Sequence, residues 1–377
     1  MTYETAIVGT GPAPDDPGRD GFAMAYRHAR GYRRLEECEL VACADIVPEH
    51  AAAFAEHFSL PESAVYEGAE QLLAEHAPDV CSVCVPPKAH AEVVTTAAET
   101  EVLDAIHCEK PVATELRAAR EMAACCERHG VQLTFNHQLR YAKPVRTAQQ
   151  LLEDGVIGEL ERITFSADNL YDAGTHMFDV CGLLSGQRPA EWVLGQLDYR
   201  EENVWFGEHN ANQAIAQWQY EDGIYGLASV GAGADFLGAR LRLEGTDGTI
   251  EIGGNGPPLR VGRDGQWTTV DTDGEGLYGP QKTRTGAALA TLADTVPGLD
   301  SDRVRKPSLT DRAIAAIVDA IGTDLTPELG AENALQATEL IFAAWESARR
   351  RGRVDLPLSI DDNPLASMVE SGELAVR

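Results

Sequence analysis

Short apolar runs alternate with amphipathic stretches through the first third of the chain. Thr5-Ala-Ile-Val8 is a buried-strand run ending in Gly9-Thr10-Gly11. A polar loop from Pro12 to Gly21, holding Asp15, Asp16 and Arg19, precedes a helical pattern that opens near Phe22. Glu39 to Ala44 is a second strand and ends at Asp45. A helix over 49–57, a short strand near Val65 and a helix near 68–75 follow. Asp79 to Val85 is a strand run, apolar after Asp79 apart from Ser82, as in a parallel strand buried on both faces. It stops at Pro86-Pro87, before a helix containing His90. Leu103 to Cys108 runs into Glu109-Lys110-Pro111, and a helix over 114–129 and a strand from Val131 to Phe135 end the alternation at Asn136. Roughly six strand–helix units predict an α/β fold, a doubly wound parallel sheet over residues 1–137.

Beyond Asn136 the pattern changes. Asp154 to Gly158 is a turn and Ile163 to Ala167 a strand; a helix begins at Gly174-Thr175, ahead of Met177, Phe178 and Val180. Alternating runs at 191–199, 212–220, 224–231, 239–245 and 248–252, with turns at Glu221-Asp-Gly and Thr246-Asp-Gly, predict a mainly antiparallel sheet. It belongs to an α+β domain over 138–357, and one open face of it would support a homodimer or homotetramer. Residues 253–279 read as loop with short strands, and helical patterns follow at 285–295, 309–322 and 332–351. The tail, 358–377, has few apolar residues and is expected to be loose or to wrap a neighbour.

Composition narrows the function. A chain of 377 residues, 44% hydrophobic, can bury two cores. No run approaches the ~20 apolar residues of a membrane span, and no signal-peptide pattern opens the sequence, so a soluble cytoplasmic protein is expected. The eight cysteines carry no disulfide or metal spacing: Cys81 and Cys84 lie three apart on a strand and point to opposite faces. No metal site is expected. The net charge is −29, from 60 acidic against 31 basic residues, of which five are lysines. Scattered carboxylates without a basic patch argue against nucleic acid and anionic membranes. Self-repulsion at this charge is relieved by salt, which predicts a salt-adapted, halophilic protein.

Ligands of doubly wound sheets bind at the carboxyl ends of strands. Gly9, Thr10, Gly11, Asp45, Pro87, Lys110 and Asn136 all fall at such ends. Gly-x-Gly lets backbone approach a pyrophosphate, and Ala25 is the nearest equivalent of a last glycine. Asp45 is either a ribose-binding acid or a plain strand-ending turn acid. With Ile46, Val47 and Pro48 after it, and no arginine, the first reading favours NAD, with NADP possible. Further on, Asp172, His176 and Asp179 are spaced by four and three residues and share one helix face. His176 is either a general base oriented by Asp172 or a structural histidine behind a capping acid. Trp205, Phe206 and His209 either pack or line substrate.

Several of these segments occur together in a known family. Glu109-Lys110-Pro111 and the later Asp-x-Gly-x-His-x-x-Asp from Asp172 to Asp179 are its marks. Echoes are Pro87 through His90, Phe135-Asn136 with Pro144, Glu244 to Ile250, and Glu332-Asn-Ala-Leu335 through Ser347-Ala-Arg. Over roughly residues 4–357 the chain resembles the glucose–fructose oxidoreductase, inositol dehydrogenase and rhizopine-catabolism (Gfo/Idh/MocA) family. The resemblance implies a Rossmann domain and transfer of a hydride between NAD(P) and a sugar, cyclitol or related polyol. It implies Lys110 at the reacting oxygen, His176 taking the hydroxyl proton, and Asp172 holding His176 and contacting substrate. Gly9, Thr10, Gly11, Asp45, Pro87, His90, Glu109, Lys110 and Asn136 would hold the cofactor. Asp179, one turn further on, would brace the motif. One departure stands out: only residues 168–171 separate the strand from Asp172, which puts the family's usual substrate contacts in doubt. Two other functions stay open, a glycosidase that oxidises its sugar transiently with bound NAD, and a non-catalytic sensor of cofactor and sugar.

Overall fold

The computed structural model describes residues 2–16, 22–280, 306–323 and 325–374. They form two compact units. The first comprises 1–113, 120–136 and 281–331, and the second 114–119, 137–280 and 332–377.

The first unit is the doubly wound sheet. Its strands are β1 (Tyr3–Val8), β2 (Cys38–Ala44), β3 (Val65–Tyr66), β4 (Val80–Val83), β5 (Ala105–Cys108) and β6 (Gln132–Phe135). All pair in parallel in the order β3-β2-β1-β4-β5-β6, so the order reverses between β1 and β4. Helices α1 (Met24–Arg33), α2 (Pro48–Phe58), α3 (Ala69–His76), α4 (Pro87–Glu99) and α5 (Leu116–His129) alternate with the strands. Each strand end falls within three residues of its predicted place because both faces are buried: Ala6, Ile7, Val80, Cys81, Val83 and Ile106 are all fully buried. The register then aligns the strand ends. Val8 pairs with Ala44 and Val83, Val83 with Cys108, and Cys108 with Phe135.

The two units depart from a linear division of the chain in two places, the first being that 114–119 cluster with the second unit. The helix at Leu309–Ala320 clusters with the first unit although the sequence order puts it in the second. Its buried stripe, Leu309, Ala313, Ile314 and Ile317, needs a partner, and the glycine at position 31 of α1 supplies room. A Cβ there would lie 2.7 Å from Ile314 Cδ1. Gln132 Nε2 donates to Ile317 O, and Ser308 with Asp311 closes a capping box at the helix start. The helix predicted at 285–295 lies outside the described residues.

The second unit is built on nine strands. After α6 (Lys143–Glu153) come β7 (Leu160–Ala167), α7 (Gly174–Leu184) and β8 (Ala190–Asp198). A small ribbon of β9 (Val204–Trp205) and β10 (Glu208–His209) forms its own sheet. Then follow β11 (Gln213–Tyr220), β12 (Tyr225–Gly231), β13 (Leu241–Gly245), β14 (Gly248–Ile252), β15 (Leu259–Arg263) and β16 (Gln266–Thr269). The short strands β17 (Glu275–Gly276) and β18 (Gly279–Pro280) pair with each other, and β19 (Val354–Asp355) joins the edge of β8. The large sheet is antiparallel except that β12 runs parallel to β7, which connects distant parts of the chain.

Burial alternates along β8 and β11, as expected when one sheet face is covered. The covered face carries Phe165 and the fully buried Trp218, with Phe178 of α7 against both. On the long helix at Ala331–Arg350, Ser347 Oγ accepts from Gly195 N of β8. The opposite face exposes Leu194, Ile215 and Tyr225. The tail is a correction to the expectation of a loose segment. Asn363 Oδ1 caps a helix at Pro364–Glu370, Leu365 and Met368 are buried, and Asn363 Nδ2 donates to Thr114 O. Leu365 and Met368 together with Pro364 make three buried apolar residues, enough once a cap starts the helix.

Candidate active site

The strand register places the residues singled out in the first unit in one row. Gly9 follows β1, Asp45 follows β2, Glu109 follows β5 and Asn136 follows β6, each one step beyond paired residues. Gly9 has φ +83°, and a Cβ there would meet Val85 N and the Cys84 carbonyl carbon within 3 Å, so only glycine closes this turn. A Cβ on Gly11 would meet nothing within 4 Å, which leaves open space beside the turn. The glycines therefore fit the close approach of a dinucleotide. Asp45 is 8% exposed and fastens the same turn: Oδ2 accepts from Gly11 N at 2.8 Å and from Thr10 Oγ1 at 3.2 Å, and Oδ1 accepts from Val47 N. Pro87 is the first residue of α4. His90 is fully buried, with ring nitrogens 2.9 Å from Val85 O and Pro111 O. Burial pushes its pKa down. It pins the turn after Lys110 rather than facing open space, so its contribution to a cofactor site is indirect.

Around Glu109 lies a network that sequence reasoning missed. Oε1 accepts from His28 Nε2 at 2.9 Å and from Asn136 Nδ2 at 2.6 Å, and Oε2 accepts from Lys110 N at 3.2 Å. His28 Nδ1 lies 3.0 Å from Ser82 Oγ, which is 2.9 Å from Tyr32 Oη. The His28 ring stacks on His107 at 4.9 Å, and His107 Nδ1 meets Thr134 Oγ1 at 3.0 Å. Burial alone would push the Glu109 carboxyl up. Hydrogen bonding and charge at His28, then Lys110 and Asn136, outweigh it and hold the group well below the usual carboxylate range. A buried carboxylate thereby fixes the backbone of Lys110 at the strand ends. The sequence did carry a signal: Ser82, His107 and Thr134 interrupt three apolar strands at one register.

In the second unit, Asn169 closes the turn that leads into α7. Its Oδ1 accepts from Asp172 N at 2.7 Å and Ala173 N at 3.0 Å, both ahead of the helix, whose N-cap residue Ala173 has no side-chain cap. A Cβ on Gly174 would lie 2.7 Å from Asn169 O, so this tight entry requires glycine. His176, 8% exposed, is the third residue of the helix, as predicted. Its ring meets the edge of His137 at 5.7 Å. His137 was not singled out from sequence; Nε2 lies 3.1 Å from Thr175 Oγ1, and Nδ1 lies 3.5 Å from Asp179 Oδ1. Asp179 is 2% exposed and is clamped by Arg140, whose Nε and Nη2 donate to Oδ2 and Oδ1 at 2.6 and 2.8 Å. This matches the bracing role expected of Asp179. A cavity of about 260 Å³ in this unit, lined among others by Asp179, Tyr220 and Leu340, includes neither Asp172 nor His176. Among the described residues no cluster of His, Cys, Asp or Glu is placed to hold a metal ion, and no helix is long and apolar enough to cross a membrane. All eight cysteines are free thiols.

Comparison with known proteins agrees with this geometry. Residues 4–137 match the family model "Oxidoreductase family, NAD-binding Rossmann fold", and residues 161–356 match "Oxidoreductase family, C-terminal alpha/beta domain". A 2,7-anhydro-N-acetylneuraminate hydratase of Mediterraneibacter gnavus is 26% identical over 270 residues, 67% of each chain. A D-apiose dehydrogenase of Rhizobium rhizogenes is 28% identical over 364 residues, covering 89% of this chain and 94% of the relative. The crystal structure of an oxidoreductase from Agrobacterium radiobacter in complex with NAD+, L-tartaric acid and magnesium superposes with a TM-score of 0.72 at 18% identity, over 94% of this chain and 98% of that one. Both the parallel sheet with its glycine turn and the α/β unit that follows are thus accounted for, and the chain belongs to the Gfo/Idh/MocA family of NAD(P)-dependent oxidoreductases.

Proposed function

We propose that this chain is an NAD-preferring dehydrogenase of a sugar, cyclitol or related polyol. The observation that carries the reading is the buried Glu109 carboxyl accepting from the Lys110 backbone N–H at 3.2 Å, at the row of strand ends. The Lys110 ammonium stabilises negative charge on the reacting oxygen. His176 takes the hydroxyl proton, with Asp172 orienting it and contacting substrate. Gly9, Thr10, Gly11, Asp45, Pro87, Glu109 and Asn136 hold the cofactor, and His90 supports the turn behind it. The cofactor, when bound, accepts or returns the hydride. A carboxylate at Asp45 repels a 2′-phosphate, so kcat/KM with NAD is expected to exceed that with NADP by at least about tenfold. A panel of sugars and cyclitols, followed by NADH absorbance in molar potassium chloride, tests both points. No turnover of any member, or equal use of NADP, sinks the corresponding half.

The similarity to a hydratase of an anhydro sugar favours one second reading, a glycosidase that oxidises its sugar transiently. Glycoside cleavage without net NADH would mark it.

The chain is also proposed to be a salt-adapted cytoplasmic protein that pairs with a second copy through its open sheet face, where Leu194, Ile215 and Tyr225 are 40–48% exposed. At molar salt the screening length falls to about 3 Å, which quenches repulsion among a net −29 charges. The unfolding midpoint is therefore expected to rise from dilute buffer to molar potassium chloride. A midpoint that falls instead would refute salt adaptation, and sedimentation as a monomer in the same buffers would refute the pairing.

A further inference from the structure

Only residues 168–171 lead from β7 to Asp172, which leaves little surface to grip a substrate. Another element of the same unit reaches this neighbourhood. In the β9–β10 ribbon Trp205 pairs with Glu208, and Val204 with His209. Directly opposed residues of antiparallel strands project to one face, with Cβ atoms about 4.5–5.5 Å apart. Trp205 and Glu208 therefore share a face, and Val204 and His209 share the other.

The His209 face is the anchored one. His209 Nδ1 lies 2.7 Å from Tyr199 Oη, which accepts from Asn203 N, and Asn210 N donates to Asn203 O across the ribbon's foot. Helix Pro364–Glu370 packs against β10. The Glu208 face looks elsewhere. Tyr171, buried beside Asp172, has its phenol pushed well up by burial and further by two carboxylates, Glu208 and Asp172. Glu208 and Asp172 thus act on the same phenol.

The ribbon's tip runs against local preference. Phe206 and Gly207 have φ +53° and +81°, the left-handed pair of a tight hairpin turn that favours Asn-Gly or Asp-Gly. A bulky aromatic at positive φ is strained, and such strain concentrates at functional sites. Trp205 and Phe206 are 40% and 41% exposed, with rings edge to face at 5.1 Å. At the foot, Asn210 is 1% exposed, and its Oδ1 has no hydrogen-bond partner among the described residues. Neither stability nor solubility explains an exposed aromatic pair, with Phe206 strained, beside an acid.

We propose that the β9–β10 ribbon grips the substrate in place of the shortened approach, Trp205 stacking on the C–H face of a hydroxylated ring and Glu208 accepting its hydroxyl hydrogens near Asp172. An aromatic face attracts C–H groups through its π density, and a carboxylate is the strongest side-chain acceptor for a hydroxyl. This assignment rests on the polyol reading above.

The test uses Trp205→Ala, Trp205→Phe and Glu208→Gln in the full chain, with NAD-coupled kinetics on substrates that the wild type turns over. Trp205→Ala is expected to raise KM about tenfold or more, with kcat and the Kd for NAD within about threefold of wild type. Trp205→Phe should recover most of the loss, and Glu208→Gln should raise KM about tenfold. Because Trp205 is exposed, the unfolding midpoint should stay put in all three. An active wild type with unchanged KM in both Trp205→Ala and Glu208→Gln overturns the ribbon assignment alone. A wild type that binds NAD but turns over no polyol overturns the polyol reading, and this assignment with it.

Discussion

Replacing His176 by alanine is expected to lower kcat about a thousandfold, about 4 kcal/mol in activation free energy, while the Kd for NAD stays within about threefold. The residue occupies the first turn of α7, 8% exposed, in edge contact with His137, which is itself hydrogen-bonded at Thr175. A ring so confined offers its nitrogens in one orientation, as a general base requires. On the proposed mechanism its loss would remove proton transfer but not the glycine turn or the Glu109 network, since none of those contacts involves α7. Lys110→Ala should cost about a hundred- to a thousandfold in kcat, the scale of removing one electrostatic donor from a transition state. Stopped-flow single turnovers and NAD fluorescence titration separate chemistry from cofactor binding. Either variant at full activity would remove that residue from the mechanism.

Asp179→Ala is expected to destabilise the second unit by about 3–5 kcal/mol, the scale of breaking a buried ion pair by deleting one member. Arg140 is 1% exposed, and its guanidinium donates to both oxygens of the Asp179 carboxylate, at 2.6 and 2.8 Å. With the amide of Gln187 turned oxygen-inward, that side chain also accepts from Nη1 and Nη2 at 2.5 and 2.7 Å. Without Asp179 the buried cation keeps a neutral acceptor but loses its counter-charge, and burial of an uncompensated charge is what costs. Asp179→Asn keeps the shape and one acceptor, so it should lose roughly half as much. Urea unfolding at fixed high salt reads both. An alanine variant within about 1 kcal/mol of wild type would show that the clamp contributes little. Because the clamp ties α7 to the turn Gln138–Tyr141, activity is expected to fall along with stability.

Much of the fold was legible because burial on both faces of a parallel sheet leaves nearly continuous apolar runs, as in Val80–Val83, broken only by Ser82. The strand ends, and with them Gly9, Asp45, Glu109 and Asn136, could be located for the same reason. The α7 start was legible from Gly174 and the apolar positions after it, although the turn ahead of it is closed by Asn169, which the sequence did not single out. The hairpin at 204–209 was not, because Phe206-Gly207 is a turn written in the wrong residues.

By itself, then, the sequence determined which segments become strands and helices, and that Gly9, Asp45, Glu109 and Asn136 stand at strand ends. Periodicity and residue type are local properties, and neighbours along the chain suffice to fix them. Tertiary structure alone decided that Leu309–Ala320 covers α1, that Trp205 and Glu208 share a face, and that His28 reaches Glu109 across 81 residues. Those are choices of partner. They depend on which buried stripe fits which groove and which buried charge finds its counterpart, and no local pattern encodes either.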